Sequence, residues 1–262
     1  MLPACAYSKR RSSENQYLAE KPAVKETHIT AAGSKLEPGE YYYYRVNWLG
    51  INVGHALIEV KEIADYEGKK CLHVTMSTAT NAFFSMIYKV IGEVESYVDE
   101  ENLRPLYYRS EMTRKKKYVF KEMRYDYAKK TVYAKDKKGE YEIDIPEGMI
   151  DPLGFFYYFR LHPVDLEKPM HMTINGGKKN YPITVYVKEE RYMHTPAGCF
   201  WTFLVRPEKE SERQFDDALN APGSLSVWYS SDEKRVPVMI ALKVPIGTAL
   251  AVLVKTGAPD AD

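Results

Sequence analysis

Apolar and polar side chains alternate along most of this 262-residue chain from Glu40 onward. The first example is YYYYRVNWLGINVGHALIEV, residues 41–60. One side of its first half carries three rings and an aliphatic side chain: Tyr42, Tyr44, Val46 and Trp48. Because successive side chains of a β-strand point to opposite faces, this pattern predicts a strand. The glycines of LGINVG then predict a turn into a second, antiparallel strand.

The same alternation recurs at short intervals along the rest of the chain. VIGEVESYVD, TVYAKD and TALAVLVKT alternate in this way, and turn sequences such as YEGKK and KDKKGE separate the alternating segments. Strands and helices do not follow one another regularly, so a parallel sheet is not expected. The predicted fold class is mainly β. It consists of a large, curved antiparallel sheet, as a half-barrel or open barrel, with two short helices.

Two short segments predict those helices. NAFFSMIYK starts with Asn81 as N-cap and runs to about Tyr88. DPLGFFYYFRLHP has Asp151 as N-cap, Pro152 at the first helical position and Pro163 beyond the end. The second helix is apolar nearly all round, so more than one of its sides should be covered. We expect it to lie against the concave face of the sheet as a plug or lid. The alternative is a core helix that joins two halves of a sandwich.

The two ends of the chain differ from its middle in composition. Residues 1–38 are polar, charged and aperiodic, which predicts a flexible N-terminal tether, and residues 258–262 predict a disordered tail. Within the tether, LPAC resembles the end of a bacterial lipoprotein signal, although the charged start and apolar core of a leader are absent. We expect lipidation of Cys5 and membrane anchoring through it. The alternative is a cytosolic start with a chance cysteine.

Five segments in order resemble one bacterial family, DUF3108, a domain of unknown function. They are PGEYYYYRVNWLGINVGHALIEV, NAFFSMIYKVIGEVESYVDEENLRPLYY, DPLGFFYYFR, TPAGCFWTFLVRP and VWYSSDEKRVPVMIALKVPIGTALAVLV. The resemblance implies a single antiparallel β domain over residues 39–257, and an exported envelope protein that is periplasmic or associated with the outer membrane. It supplies no catalytic motif. The architecture is also similar to the half-barrels of LolA/LolB-type lipoprotein carriers, by fold analogy alone.

Charge and motifs argue against several classes of function. The chain has 37 Lys and Arg against 36 Asp and Glu, a balance that argues against nucleic-acid binding. Its six histidines and three cysteines form no metal-binding spacing, so we expect no metal and no cofactor. NGGKK, residues 175–179, predicts a hairpin turn because no helical pattern follows it. The cysteines leave open a Cys71–Cys199 disulfide or two separate buried thiols.

A pair of carboxylates offers the one enzymatic alternative. Glu93 and Glu95 share a face of one predicted strand, and His73 lies on a neighbouring strand. Paired carboxylates do acid–base work when one of them is buried and its pKa is raised, which would make the protein a hydrolase. The simpler interpretation is a solvated outer face, with Val94 and Val98 pointing inward. We expect no enzyme.

The strongest basic cluster is TRKKKYVFK, residues 113–121. We expect its four successive cations to contact anionic headgroups: Arg114, Lys115, Lys116 and Lys117. The alternative is an exposed turn whose charge Glu111 and Glu122 balance.

The leading functional hypothesis is a non-catalytic envelope protein that binds a lipid or another amphipathic small molecule. Its binding site would be an apolar concave face lined by eight rings: Tyr42, Tyr44, Trp48, Phe155, Phe156, Tyr158, Phe159 and Trp228. Burying a lipid chain contributes about 0.8 kcal/mol per methylene, so a modest groove would suffice. The alternative is an envelope scaffold with a filled core that contacts a protein or glycan. The protein partner is not predicted.

Overall fold

The structure, a computed structural model, describes residues 15–18, 33–165, 168–209, 225–244 and 246–257. Within these ranges the strands are β1 (Tyr41–Trp48), β2 (Ile51–Tyr66), β3 (Lys69–Thr80), β4 (Val90–Asp99), β5 (Pro105–Arg114), β6 (Lys117–Asp126), β7 (Thr131–Asp136), β8 (Gly139–Asp144), β9 (Met149–Ile150), β10 (Met170–Asn175), β11 (Asn180–Thr195), β12 (Gly198–Lys209), β13 (Leu225–Ser230), β14 (Pro237–Lys243) and β15 (Thr248–Gly257). The helices are α1 (Ala82–Tyr88) and α2 (Phe155–Leu161), and Asn15–Tyr17 form a 3-10 turn.

All fifteen of these strands join one sheet in the order β8-β7-β6-β5-β4-β3-β2-β1-β15-β14-β13-β12-β11-β10-β9. Neighbouring strands are antiparallel except for the short parallel pair of β9 and β10. The prediction of a mainly β fold with a large antiparallel sheet and two short helices is therefore confirmed. The opening stretch forms the pair β1 and β2, in which Tyr44 lies opposite Ala56. Leu49 and Gly50 both have positive φ, as the tight turn between two such strands requires.

The sheet wraps around α2 without closing into a continuous ladder. The segment that carries α2 contacts Ser96 on β4, Tyr42 on β1 and Tyr229 on β13, which are far apart in the strand order. At the open seam, Asn180 Nδ2 donates to the carbonyl of Asp144 at 2.7 Å. Side chains and turns, rather than paired strands, therefore bridge the two edges of this open barrel.

The helix α2 begins later than the sequence predicts. Its N-cap is Gly154, which makes no side-chain cap bond, so the assignment of Asp151 as N-cap and of Pro152 as the first helical residue is wrong. Asp151 Oδ1 instead accepts from the backbone N–H groups of Leu153 at 2.8 Å and Gly154 at 2.6 Å. Its other oxygen accepts from the Ser96 hydroxyl. The buried carboxylate therefore ties the turn before α2 to β4. The prediction that the helix ends before Pro163 is confirmed.

Buried Arg160 on α2 holds the segment that precedes β1. Its guanidinium donates to both carboxylate oxygens of Glu40, at 2.5 and 2.9 Å, and to the Tyr42 hydroxyl at 3.0 Å. It also donates to the backbone carbonyls of Ser34 and Lys35, both at 2.7 Å. A buried charge pair is tolerated when its remaining hydrogen bonds are satisfied, as they are here. Residues 33–38, the end of the predicted tether, are therefore held against the body.

A second apolar cluster lies outside the main core. It contains Met193, Leu204, Trp228 and Met239, and Tyr17 and Leu18 from the N-terminal region pack against it. Trp228 is therefore not in the core that surrounds α2. All six residues of β13 are buried, so alternation could not show which of its residues face the helix.

Candidate functional site

The predicted lining of the concave face is packed against α2. Five of the eight predicted lining residues are buried in the main core: Tyr42, Tyr44, Phe155, Phe156 and Phe159. The ring of Tyr42 lies 6.3 Å from that of Tyr157, and the ring of Phe159 lies 5.3 Å from that of Tyr229. These side chains contact one another, as in a filled core.

The other three predicted lining residues lie apart from that cluster. Tyr158 is half-buried at the edge of α2, where its ring stacks on His162 at 3.8 Å. Trp48 is half-buried near the end of the sheet and donates to the carbonyl of Ile246 at 2.6 Å. Trp228 belongs to the second cluster. The sequence therefore grouped residues that the fold separates.

Two concavities on the surface of the described part of the chain include no residue of α2. One, of about 270 Å³, is lined by Tyr43, Arg45 and His55 among others. The other, of about 390 Å³, lies over β6, β7 and β8 beside Tyr133 and Tyr141. Both lie on the outer surface, away from the predicted ligand site.

The helix α1 is apolar, yet it has no buried residue. The exposed fractions of Phe83, Met86 and Ile87 are 61%, 79% and 64%. Its predicted cap is confirmed, since Asn81 Oδ1 accepts from the backbone N–H of Phe84 at 2.9 Å. The sequence predicted this helix and its bounds but did not predict its exposure.

Two hairpin turns place more apolar side chains beside α1. Leu49 lies in the turn between β1 and β2, Ile51 follows that turn, and Ile246 lies in the turn between β14 and β15; all three are exposed. The Trp48–Ile246 hydrogen bond joins these two turns. Asn81 Nδ2 donates to the carbonyl of Asn52 at 3.0 Å, which joins α1 to the first of them. We call this group the apolar end: Leu49, Ile51, Phe83, Met86, Ile87 and Ile246.

The predicted basic cluster lies next to α1. The backbone N–H of Lys115 donates to the carbonyl of Lys89 at 2.7 Å, and Lys115 Nζ lies 4.9 Å from the ring centre of Tyr88. Lys115, Lys116 and Lys117 are exposed, whereas Arg114 is half-buried. The structure thus brings cations and the apolar end to the same end of the sheet.

The predicted carboxylate partners of this turn are occupied elsewhere. Glu111 accepts from Arg109 Nε at 3.0 Å, and Glu122 Oε1 lies 3.0 Å from Arg124 Nη2. The side-chain bond from Arg109 lowers the pKa of the Glu111 carboxyl. The alternative in which Glu111 and Glu122 balance the lysine turn is therefore not what the structure displays.

The paired carboxylates lie on the outer face of β4. Glu93 is exposed, and Glu95 Oε2 lies 3.5 Å from His73 Nε2. The His73 ring stacks on Tyr97 at 4.4 Å. Neither concavity includes these residues. The arrangement brings one carboxylate of the pair to a histidine on the outer face of the sheet.

Other chemical features are few in the ranges that the structure covers. No group of three or more His, Cys, Asp and Glu side chains there is placed to hold a metal ion. Cys71 is a buried free thiol and Cys199 is disulfide-bonded, so the structure has neither the Cys71–Cys199 disulfide nor the two free thiols that the sequence left open. No described helix is long and apolar enough to cross a membrane. Cys5, the predicted lipidation site, lies outside the described residues.

An open, barrel-like antiparallel sheet wrapped around one helix defines the structural class of this protein. Within that class the chain belongs to the DUF3108 family, described as a protein of unknown function, which matches residues 43–254. A search of curated proteins found no match.

A solved structure shows the same class of fold. A β-barrel-like protein of the DUF1849 domain of unknown function from Brucella abortus has a TM-score of 0.54 at 11% identity, over 87% of this chain and 100% of that chain. More distant similarity exists to a protein predicted to be exported, with a YmcC-like fold, from Bacteroides fragilis (TM-score 0.35, 11% identity, 87% and 100% covered). The chain is also distantly similar to a predicted lipoprotein from Parabacteroides distasonis, with a TM-score of 0.32 at 10% identity over 87% of this chain and 100% of that chain. Distant structural relatives are thus predicted to be exported proteins or lipoproteins.

Proposed function

We propose that this chain is a non-catalytic protein of the bacterial cell envelope that contacts a lipid surface through the apolar end. The observation that carries this proposal is α1, an apolar helix without a single buried residue. Contiguous apolar patches on soluble proteins mark interaction sites, and lipid is the environment that accepts unpaired side chains of this kind without a shaped pocket.

The packing of α2 supports a role for the outer surface. Phe155 and Phe159 are almost fully buried, and Tyr229 donates its hydroxyl to the carbonyl of Phe155 at 3.3 Å. An amphipathic ligand in the concave face would have to displace this cluster. The filled-core alternative from the sequence is therefore the better supported one, with a lipid surface rather than a protein or glycan as the proposed partner.

The energetics favour reversible attachment. Full burial of a Phe, Ile or Met side chain contributes about 1.5–3 kcal/mol. The six side chains of the apolar end sit on turns and on a short helix, so they would enter the interface only in part. Such contacts give stable attachment only when a second membrane contact, such as a lipid chain or a cluster of basic residues, is added to them.

The proposed location is periplasmic or associated with the outer membrane, as the family resemblance implied. Acylation of Cys5, which remains a prediction, would supply a second attachment to the same membrane. Residues 33–38 are held against the body through Arg160, so any reach from an anchor would come from the residues before them.

Sedimentation with vesicles of phosphatidylethanolamine and phosphatidylglycerol tests the proposal. We expect the wild type to bind and the double variant Phe83→Ser with Ile87→Ser to bind about tenfold more weakly or worse, because the two side chains together contribute more than about 1.4 kcal/mol even when each is buried only in part. Ile63→Ser is the matched control, since Ile63 is an exposed apolar residue outside the apolar end. A wild type that binds no vesicles, or a double variant that binds as the wild type does, would contradict the proposal.

A further inference from the structure

Lysines recur in three turns that are distant in sequence. The turn between β5 and β6 carries Lys115 and Lys116, and Lys117 follows it as the first residue of β6. The turn between β7 and β8 carries Lys137 and Lys138, and the turn between β10 and β11 carries Lys178 and Lys179. In an antiparallel sheet, alternate turns lie at the same end. The antiparallel pairs β5–β6, β7–β8 and β10–β11 therefore place all three turns at the end that carries α1.

Side-chain contacts link the three turns into one rim. Lys137 Nζ lies 4.4 Å from the ring centre of Tyr118, which follows the first turn. Lys178 Nζ lies 3.0 Å from Asp136 Oδ2, which precedes the second turn, and so joins the turns across the open seam. The contact of Lys115 with Tyr88 continues the rim into α1. We call this group the lysine rim: Lys115, Lys116, Lys117, Lys137, Lys138, Lys178 and Lys179.

Most of the charge on this rim is left in solvent. Asp136 pairs with Lys178, and Glu140 pairs with Lys135 at 3.0 Å. Within the described ranges, none of the lysines at positions 115, 116, 117, 137 and 138 forms an ion pair with a carboxylate, and all five are exposed. The whole chain has a formal charge of only +1, so this end is cationic by arrangement and not by composition.

We propose that the lysine rim and the apolar end form one docking surface for an anionic phospholipid bilayer. This inference rests on the proposed function and names the class of lipid. The apolar end supplies side chains that enter the interface, and the lysine rim supplies ammonium groups at the level of the headgroup phosphates. Lysines stacked on Tyr88, Tyr118 and Tyr141 fit that depth, since tyrosine favours the membrane–water boundary. Each lysine near an anionic surface strengthens binding several-fold.

Vesicle binding with matched charge variants tests the inference. The test variant carries Lys116→Gln, Lys117→Gln, Lys137→Gln and Lys138→Gln. The control variant carries Lys69→Gln, Lys70→Gln, Lys129→Gln and Lys130→Gln. These four lysines are exposed at the opposite end of the sheet, Lys69 and Lys70 at the start of β3 and Lys129 and Lys130 in the turn before β7, so the control makes the same change in net charge. Thermal unfolding followed by circular dichroism confirms that both variants are folded.

We expect wild-type binding to rise when phosphatidylglycerol replaces part of the lipid in phosphatidylcholine vesicles and to fall as salt is added. The test variant should lose about tenfold or more of its binding to the anionic vesicles and should match the wild type on neutral ones, whereas the control variant should match the wild type on both. Binding that is independent of phosphatidylglycerol, or equal losses in both variants, would overturn this inference and leave the lipid contact of α1 in place. Absence of binding to any vesicle would instead overturn the proposed function.

Discussion

The two helices of this protein have the same length and nearly the same character but opposite surroundings. AFFSMIY of α1 and FFYYFRL of α2 are both seven residues long and rich in rings. Yet α1 has no buried residue, and five residues of α2 are buried. The difference comes from the connections. Because α1 joins the paired strands β3 and β4, it stays at the end of the sheet. Longer segments on both sides of α2 let it enter the concave face.

Truncation of one ring in each helix should show the largest contrast. Phe159→Ala removes a fully buried ring from contact with Tyr229 and should lower the free energy of unfolding by about 3–5 kcal/mol. Phe83→Ala changes an exposed side chain and should alter the free energy of unfolding by about 0.5 kcal/mol or less. Urea denaturation of both variants measures the two values. Similar losses would show that α1 is part of the core and would remove the basis of the lipid proposal.

Substitution of the polar residues that precede the two helices should give a smaller difference in the free energy of unfolding. Asp151→Ala leaves two buried N–H groups without their acceptor and leaves the Ser96 hydroxyl only its 3.3 Å bond to the Tyr107 carbonyl, so it should cost about 2–4 kcal/mol. Asn81→Ala removes a half-buried helix cap and the hydrogen bond to the Asn52 carbonyl, and it should cost about 1 kcal/mol. The same denaturation experiment compares them. A loss for Asp151→Ala no larger than that for Asn81→Ala would mean that the link to β4 contributes nothing.

The pH dependence of stability should be the smallest effect. Burial raises the pKa of Asp151. A carboxyl with a raised pKa binds its proton more tightly in the folded state, so stability is greatest below the unfolded pKa of about 4 and falls as the pH rises through the folded pKa. Acidification from neutral pH towards about 4 should therefore raise the stability of the wild type relative to Asp151→Asn.

Asp126 provides a control with the opposite sign. The backbone N–H of Lys129, which donates to Asp126 at 3.0 Å, lowers the pKa of that carboxyl. The wild type should therefore lose stability relative to Asp126→Asn as the pH falls through the pKa of Asp126. Parallel denaturation series across this pH range measure both differences. If the difference in stability between wild type and variant changed in the same direction with pH for both residues, the opposite pKa shifts of Asp151 and Asp126 would be contradicted.

Alternation in the sequence predicted most of the strands because one face of each is buried. The strands β4 and β7 have the predicted bounds, since turn residues flank clear alternation. The strand β10, MHMTIN, was missed because methionine has little preference for strands, and the two-residue β9 is too short to leave a pattern. Trp228 was placed on the wrong face because β13 is buried on both.

The candidate site was predicted only in part. The lysine turn at Arg114 to Lys117 and the bounds of α1 followed from local sequence. Their adjacency depends on the pairing of β4 with β5, which local sequence does not specify. The contribution of Lys178 depends on the open seam, where a turn from one edge of the sheet meets Asp136 from the other. This contact between the two edges depends on the strand order of the whole sheet.

Hydrogen–deuterium exchange with and without vesicles of phosphatidylethanolamine and phosphatidylglycerol tests the central claim most directly, because it follows both helices in one experiment. The backbone amides of α1 and of the turn at Lys115 should exchange quickly in solution and gain protection when lipid is present. Those of α2 should exchange slowly in both conditions. Protection that appears in α2 on lipid addition, with α1 unchanged, would show that lipid enters the concave face and would contradict this account.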